Sequence, residues 1–300
     1  MQTERASPRY SGIDTWDIPD VLDALIEGQF AAVAAVRAAR PAIEAAVTAA
    51  HATLKDRGRL VYAGAGTSGR LAVQDGAELM PTFSWPPERL LLLMAGGSDA
   101  LIGAVEGAED EIEDARRLVA GHGIGPDDVL VAVAASGVTP FTLSCLREAN
   151  RRGALTIGIA NNPGTPLLEE AQHAIWLDTG AEPIAGSTRM KAGTSQRVAL
   201  TVFSSLLMIT LGRIYEGMMV DLQAANAKLA RRSEEMLTSL TGKSREEVRA
   251  ALARAEGSVK VALLLLNGCE IEEARLLLER AGGQLRQALA LFEHRGNEAA

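Results

Sequence analysis

Five short apolar runs recur through the middle of the chain. Each closes on small residues and is followed by a stretch of helical periodicity. They are RLVYAG at 59–64, LLLLMA at 90–95, VLVAVA at 129–134, LTIGIA at 155–160 and AIWLDT at 174–179. Continuous apolar runs of this length fit strands buried on both faces, as in a parallel sheet. Their alternation with helices predicts an α/β fold, a doubly wound five-stranded parallel sheet. Ahead of them, the Ala- and Glu-rich segment from Val21 to Leu54 predicts helix, interrupted at Pro41.

Beyond Gly186 a long helix is expected through RMKAGTSQRVALTVFSSLLMITLGRIYEG, with a further helix over about 218–232. Part of this stretch, VALTVFSSLLMITLG, is apolar enough to suggest a membrane span. Hydroxyl residues interrupt it and Arg197 and Arg213 bound it, which favours a buried helix. From Ser233 the pattern breaks into short helices separated by turn signals: TGKS at 241–244, EGS at 256–258, NGC at 267–269 and AGG at 281–283. The expected division is a sheet domain with a helical N-terminal segment over 1–230 and a small all-helical domain over 231–300.

Composition narrows the function classes. Hydrophobic residues make up 47% of the 300, so a substantial core is available, whereas aromatics at 4% rule against large stacking platforms. A net charge of −8 excludes a chain-wide basic field for nucleic acid but leaves room for a local anion pocket. The two cysteines, Cys145 and Cys269, lack metal-ligand spacing and suit a reducing cytoplasm. The N-terminal stretch MQTERASPRYSGIDTWD is polar and mixed in charge, unlike a signal peptide.

The chemistry lies in the loops after the strands. The first run leads into Gly64-Ala65-Gly66-Thr67-Ser68-Gly69-Arg70, in which Gly64, Gly66 and Gly69 match the dinucleotide fingerprint. That reading needs an acidic residue at the end of the second strand. The corresponding region, Ser84-Trp85-Pro86-Pro87-Glu88, comes before that strand. The alternative is a phosphate cradle, with Thr67 and Ser68 beside the unsatisfied amides of a helix start. A plain helix cap uses the same geometry, so one loop leaves both readings open.

A second hydroxyl-rich loop, Ser136-Gly137-Val138-Thr139-Pro140, follows the third strand and favours the cradle. Loops at the ends of two strands converge at the switch point of a doubly wound sheet. Asn161-Asn162-Pro163-Gly164-Thr165-Pro166 reads first as a turn and helix start. Beyond the fifth strand, Glu182, Ser187, Thr188, Arg189 and Lys191 fall within one span suited to ordering a loop or meeting sugar hydroxyls.

GAGTSGR, SGVTP and the stretch from Glu182 to Thr188 resemble, in order, the loops of the SIS phosphosugar-binding family. More closely, LVYAGAGTSGRLAVQDGAELMPTF, AGGSDALIGAVEGAEDE, AASGVTPF, NNPGTPL, GSTRMKAGTSQRVAL and GMMVDLQAANAKL resemble the family of N-acetylmuramic acid 6-phosphate etherases. These segments cover most of 58–232. One departure is Glu27-Gly28-Gln29-Phe30, where the family pattern suggests Glu-Asp.

The resemblance implies removal of D-lactate from the C3 ether of an amino-sugar phosphate, by elimination and then water addition, without a metal or redox cofactor. It assigns phosphosugar binding to Gly66, Thr67, Ser68, Gly69, Arg70, Ser136, Gly137, Thr139, Glu182, Ser187, Thr188 and Lys191. It assigns catalysis to Glu78 as proton donor and Glu109 as base. Burial among Ala77, Leu79 and Met80 would raise the pKa of Glu78 and suit it to donate a proton. Taken alone, Glu78 reads as an exposed residue near a helix end before Pro81. Glu109 likewise reads as part of a solvated acidic helix face with Glu106, Asp110 and Glu113. Glu78 lies eleven positions after Thr67, about 16 Å along a continuous helix. That span predicts a homodimer in which one subunit's carboxylate faces the other's phosphate loops. Two rivals share the cradle: a non-catalytic sugar-phosphate regulator and an aldose–ketose isomerase. No nucleic acid or membrane partner is expected.

Overall fold

The computed structural model describes residues 1–55, 57–221 and 227–298. Two antecedent helices, α1 (Ile18–Ala38) and α2 (Arg40–Leu54), meet at Ala39. Pro41 stands in the first turn of α2, where its missing N–H breaks no bond. The apolar runs form strands β1 (Leu60–Gly64), β2 (Leu90–Met94), β3 (Val129–Val133), β4 (Leu155–Ala160) and β5 (His173–Trp176). Between them run α3 (Gly66–Ala77), α4 (Leu79–Phe83), α5 (Ile112–Gly121), α6 (Pro140–Arg151) and α7 (Pro166–Glu170).

The sheet is parallel throughout, in the order β2-β1-β3-β4-β5. β1 and β3 are buried along their whole length, as their unbroken apolar sequence requires. The order reverses at β1, which has β2 on one side and β3 on the other. The loops after β1 and β3 therefore diverge and leave a crevice at the switch point. Val61, Leu130, Phe141 and Leu146 form the heart of the core beneath it.

The long helix α8 is shorter than expected, Lys191–Thr210. Its expected continuation, GRIYEG, is a hairpin of β6 (Ile214–Tyr215) and β7 (Met218–Met219). Glu216 and Gly217 sit at the turn with φ of +48° and +74°, the left-handed pair that a two-residue hairpin loop demands. The helix expected over 218–232 is thus strand at its start. Residues 222–226 lie outside the described residues, and α9 (Ala227–Thr241) follows. Then come α10 (Arg245–Arg254), α11 (Val259–Leu266), α12 (Ile271–Arg280) and α13 (Leu285–Glu298). The Ser244–Glu247 capping box fixes the start of α10.

By contacts the chain falls into two compact units, Met1–Glu78 with Pro87–Ser205, and Leu79–Pro86 with the residues from Leu206 on. The boundary anticipated near residue 230 lies inside α9. The second unit's core already includes Val220, with Tyr215 and Met218 packed against it, so the unit begins before the change in sequence texture. Among the described residues no helix is long and apolar enough to cross a membrane. The stretch that raised the question lies in α8, whose Ala199, Leu200 and Phe203 are fully buried.

Helix α1 carries two apolar faces. Ala24, Gly28, Ala32, Ala35 and Val36 are buried. Ile18, Leu22, Ile26, Phe30 and Val33, at helical spacing, are exposed, Phe30 by 71%.

Candidate active site

The first loop is shaped by its glycines. A Cβ on Gly64 would lie 2.8 Å from Gly69 Cα, and one on Gly69 would lie 2.7 Å from the Gly64 carbonyl. Strand and helix therefore touch backbone to backbone. Gly66 has φ +53°, a left-handed conformation that lets the chain turn from β1 into α3. The helix N-cap is Ala65, which offers no side-chain acceptor. Neither Thr67 nor Ser68 is the cap; both lie inside the first turn, so the capping alternative falls. The first-turn amides retain their positive potential for an anion.

The second loop repeats the design. Thr139 is the N-cap of α6 without a side-chain cap bond, and Pro140 occupies the first turn. Ser136 Oγ lies 3.1 Å from Thr139 Oγ1 and accepts the Val138 N–H at 3.2 Å. Gly137, at φ +73°, leaves room for Thr165, whose Oγ1 would stand 2.2 Å from an added Cβ. Thus two helix starts, each bearing hydroxyls, flank the crevice between β1 and β3.

A cleft of about 460 Å³ opens at the first loop. Gly66, Thr67 and Arg70 line one side, and Glu106, Gly107 and Glu109 another. Glu109 is exposed in a short 3-10 turn, Ala108–Asp110, entered through Gly107 at φ +72°. It is not on a helix face, because α5 starts only at Ile112. Arg70 donates to Ala100 O at 2.8 Å and Gly103 O at 2.7 Å. Its guanidinium thereby braces the 97–103 wall of the cleft.

Glu78 is placed differently. It caps the C-terminal end of α3, with its N–H on Asp75 O at 3.2 Å. The helix between Thr67 and Glu78 is continuous, so the two are separated by about 16 Å of rise. Glu78 is exposed, so the burial expected of it is not met within one chain; the apolar neighbours Ala77 and Met80 are exposed too. Glu78 does not line the cleft that holds Glu109.

The third region braces the start of α8. Glu182 is fully buried, and its two carboxylate oxygens accept the N–H groups of Lys191 at 3.0 Å and Ala192 at 2.9 Å, capping α8. Lys191 is buried and donates to Thr179 O at 2.9 Å; burial lowers its pKa while Glu182 opposes the shift. Its stem packs at Gly28, where a Cβ would lie 3.2 Å from Lys191 Cδ. A larger residue at that departure from the family pattern would crowd the buried lysine. Ser187 and Thr188 are half-buried in the preceding turn. The Gly193 N–H donates to Thr188 O at 2.8 Å, and Gly193 approaches Thr67. Ser187 and Thr188 thus stand near the first loop, while Glu182 and Lys191 hold the helix behind it.

Two sets of buried contacts are visible only in the fold. Asp75 is buried on α3, accepts from Tyr62 Oη at 2.8 Å and faces Arg197 at 3.5 Å. Burial raises its pKa, against the hydrogen bonds from Tyr62, Ser204 and Thr201 and the charge of Arg197. Asn161 and Asn162 are also buried. Asn161 donates to Leu177 O and Ser195 Oγ, and Asn162 to Ala135 O and Thr3 Oγ1. The NNPG loop thus joins the ends of the strands to the N-terminal segment.

A doubly wound sheet with two hydroxyl-bearing helix starts at its switch point defines a SIS phosphosugar-binding domain. Residues 110–206 match the family described as SIS domain, and 42–150 match the glucokinase regulatory protein N-terminal SIS domain. The N-acetylmuramic acid 6-phosphate etherase of Deinococcus radiodurans is 51% identical over 264 residues, covering 88% of this chain and 87% of that one. That of Streptomyces avermitilis is 43% identical over 265 residues, covering 88% and 85%. The chain belongs to the N-acetylmuramic acid 6-phosphate etherase family. A phosphoheptose isomerase from Francisella tularensis overlays with a TM-score of 0.49 at 21% identity, over 66% of this chain and 100% of that one.

Proposed function

We propose that this protein cleaves the D-lactyl ether of N-acetylmuramic acid 6-phosphate to N-acetylglucosamine 6-phosphate and D-lactate. The reading is supported by a cleft at the first loop, where Gly66, Thr67 and Arg70 share the lining with Glu106 and Glu109, in a chain of the etherase family. The amides and hydroxyls of Gly66–Gly69 and Ser136–Thr139 hold the phosphate. Ser187 and Thr188 meet the sugar, while Arg70, Glu182 and Lys191 brace the walls that place these groups.

The open-chain aldehyde of the substrate acidifies the proton on C2. Glu109 takes that proton, and the electron pair forms the C2–C3 double bond as the C3–O bond to lactate breaks. Glu78 gives the departing oxygen its proton. Water then adds at C3 and a proton returns to C2. The balance closes with one water consumed and no change in oxidation state, and two carboxyl groups of opposite protonation suffice.

Glu78 reaches that sugar from a second copy of the chain. Two observations support the homodimer: the continuous α3 that separates Glu78 from its own cradle, and the exposed apolar stripe on α1. In the dimer the neighbour's surface supplies the burial that Glu78 lacks alone. A cytoplasmic location fits the phosphorylated substrate and the two unpaired, buried cysteines.

The test is incubation with N-acetylmuramic acid 6-phosphate and assay of D-lactate. Release is expected from the wild type. Glu78→Ala and Glu109→Ala should each abolish it while binding of N-acetylglucosamine 6-phosphate survives. A folded wild type that releases no D-lactate refutes the reading, and leaves a sugar-phosphate regulator or an isomerase.

A further inference from the structure

The peptide immediately after Glu78 folds with the C-terminal helices. Leu79–Pro86 belongs to the second compact unit, whereas Glu78 is the residue at which the first unit's segment ends. Arg213 grips this excursion. Its Nη1 donates to Phe83 O and Ser84 O, both at 2.9 Å, and its guanidinium stacks 5.1 Å from the centre of the Trp85 ring. Trp85 is almost fully buried. Between the two carbonyl contacts lies Ser84 at φ +51°, a left-handed conformation unusual for a residue with a Cβ. Such a conformation persists where its surroundings over-determine it.

Arg213 is itself held. Asp221 stands 3.7 Å from it and 2.8 Å from Lys260 Nζ, which also donates to Gly283 O at 2.8 Å. The chain of contacts runs from the peptide after Glu78 through Arg213 and Asp221 to the start of α11. None of these charged groups lines the cleft at the first loop.

We infer that Arg213 is a positioning residue for Glu78: by clamping Phe83 and Ser84 it fixes where the acid-bearing end of α3 enters the following turn. The inference rests on Glu78 being catalytic. A guanidinium is required because one planar group both bonds two carbonyls and lies over an indole; an ammonium on a flexible stem does not reproduce that.

The experiment is steady-state D-lactate release by Arg213→Lys, with binding of N-acetylglucosamine 6-phosphate measured on the same sample. Glu78→Gln is the control. Expected for Arg213→Lys is a kcat lower by roughly tenfold to a hundredfold, as for a displaced catalytic group, with product affinity and the melting transition retained. Trp85→Phe, which keeps an aromatic ring under the guanidinium, should lower kcat in the same sense and serves if Arg213→Lys does not fold. A wild-type kcat in the folded variant overturns the inference. So does a parallel loss of kcat and binding, which marks a merely structural role. If Glu78→Gln keeps wild-type turnover, the assignment of Glu78 fails and this inference with it. If Glu78→Gln is inactive and Arg213→Lys turns over normally, only the inference fails.

Discussion

Gly69→Ala tests the cradle through a wedge of one methyl group. The new Cβ would lie 2.7 Å from the C and O atoms of Gly64 and 2.5 Å from Met94 Sδ. The methionine can swing away, but the Gly64 backbone is fixed in β1 by pairing with β2 and β3. Bringing the contact to an ordinary 3.4 Å moves the start of α3 by about 0.7 Å. Overpacking of this kind costs about 1–3 kcal/mol, and the better helix propensity of Ala returns up to about 1 kcal/mol. The net loss is about 1–2 kcal/mol, or about 2–8 °C in Tm at this size. The same displacement draws the Thr67 and Ser68 amides from the phosphate, and loss of about one good hydrogen bond weakens N-acetylglucosamine 6-phosphate roughly tenfold. Differential scanning fluorimetry and titration calorimetry read the two effects. Gly66 separates strain from contact. Its Cβ would meet nothing within 4 Å, but its φ is +53°, so Asn should be tolerated there better than Ala. A Gly69→Ala protein that melts and binds like wild type refutes the close-approach argument.

Three further outcomes follow from particular contacts. Glu182→Ala leaves two buried amides of α8 without their acceptor, which should cost about 3 kcal/mol in urea denaturation; an unchanged midpoint contradicts the capping role. Asp75 has its folded pKa raised by burial, so its contribution to stability is fully present below the unfolded carboxyl pKa and is lost as pH rises through the folded value. The Tm advantage of wild type over Asp75→Asn should therefore be greater at pH 4 than at pH 7, and the reverse order would refute the assignment. The double variant Leu22→Glu/Phe30→Glu, which puts two charges on the exposed stripe of α1, should sediment as a monomer and lose D-lactate release. Retention of a fully active dimer would show that α1 is not the contact face.

The strands were legible because burial on both faces leaves no room for polar alternation, as in Val129–Val133. The glycines of the first loop were legible too, since Gly64, Gly66 and Gly69 answer to constraints that any strand-to-helix anion loop imposes. Other features depend on distant partners. Glu182 sits in a span of polar residues, and only the return of α8 shows that its carboxylate caps Lys191 and Ala192. Asp75 looks like any helical aspartate until Tyr62 and Arg197 close on it. The hairpin at 214–219 was hidden by apolar residues continuous with α8, although Glu216-Gly217 marked its turn. Glu78 and Glu109 stand among other acidic or apolar neighbours whose local pattern gives neither a role, and only their family context singled them out.

In the proposed shared site, a cradle and its own Glu109 work with the Glu78 of a second copy. Mixing separately inactive Glu78→Gln and Glu109→Gln subunits tests it most directly, after dissociation and reassociation at equal amounts. One site of each mixed dimer then has an intact cradle, Glu109 and Glu78. Random pairing makes about half of the dimers mixed, so D-lactate release should return to about one quarter of the wild-type rate. A mixture as inactive as its two parents, with subunit exchange demonstrated, would contradict the shared site.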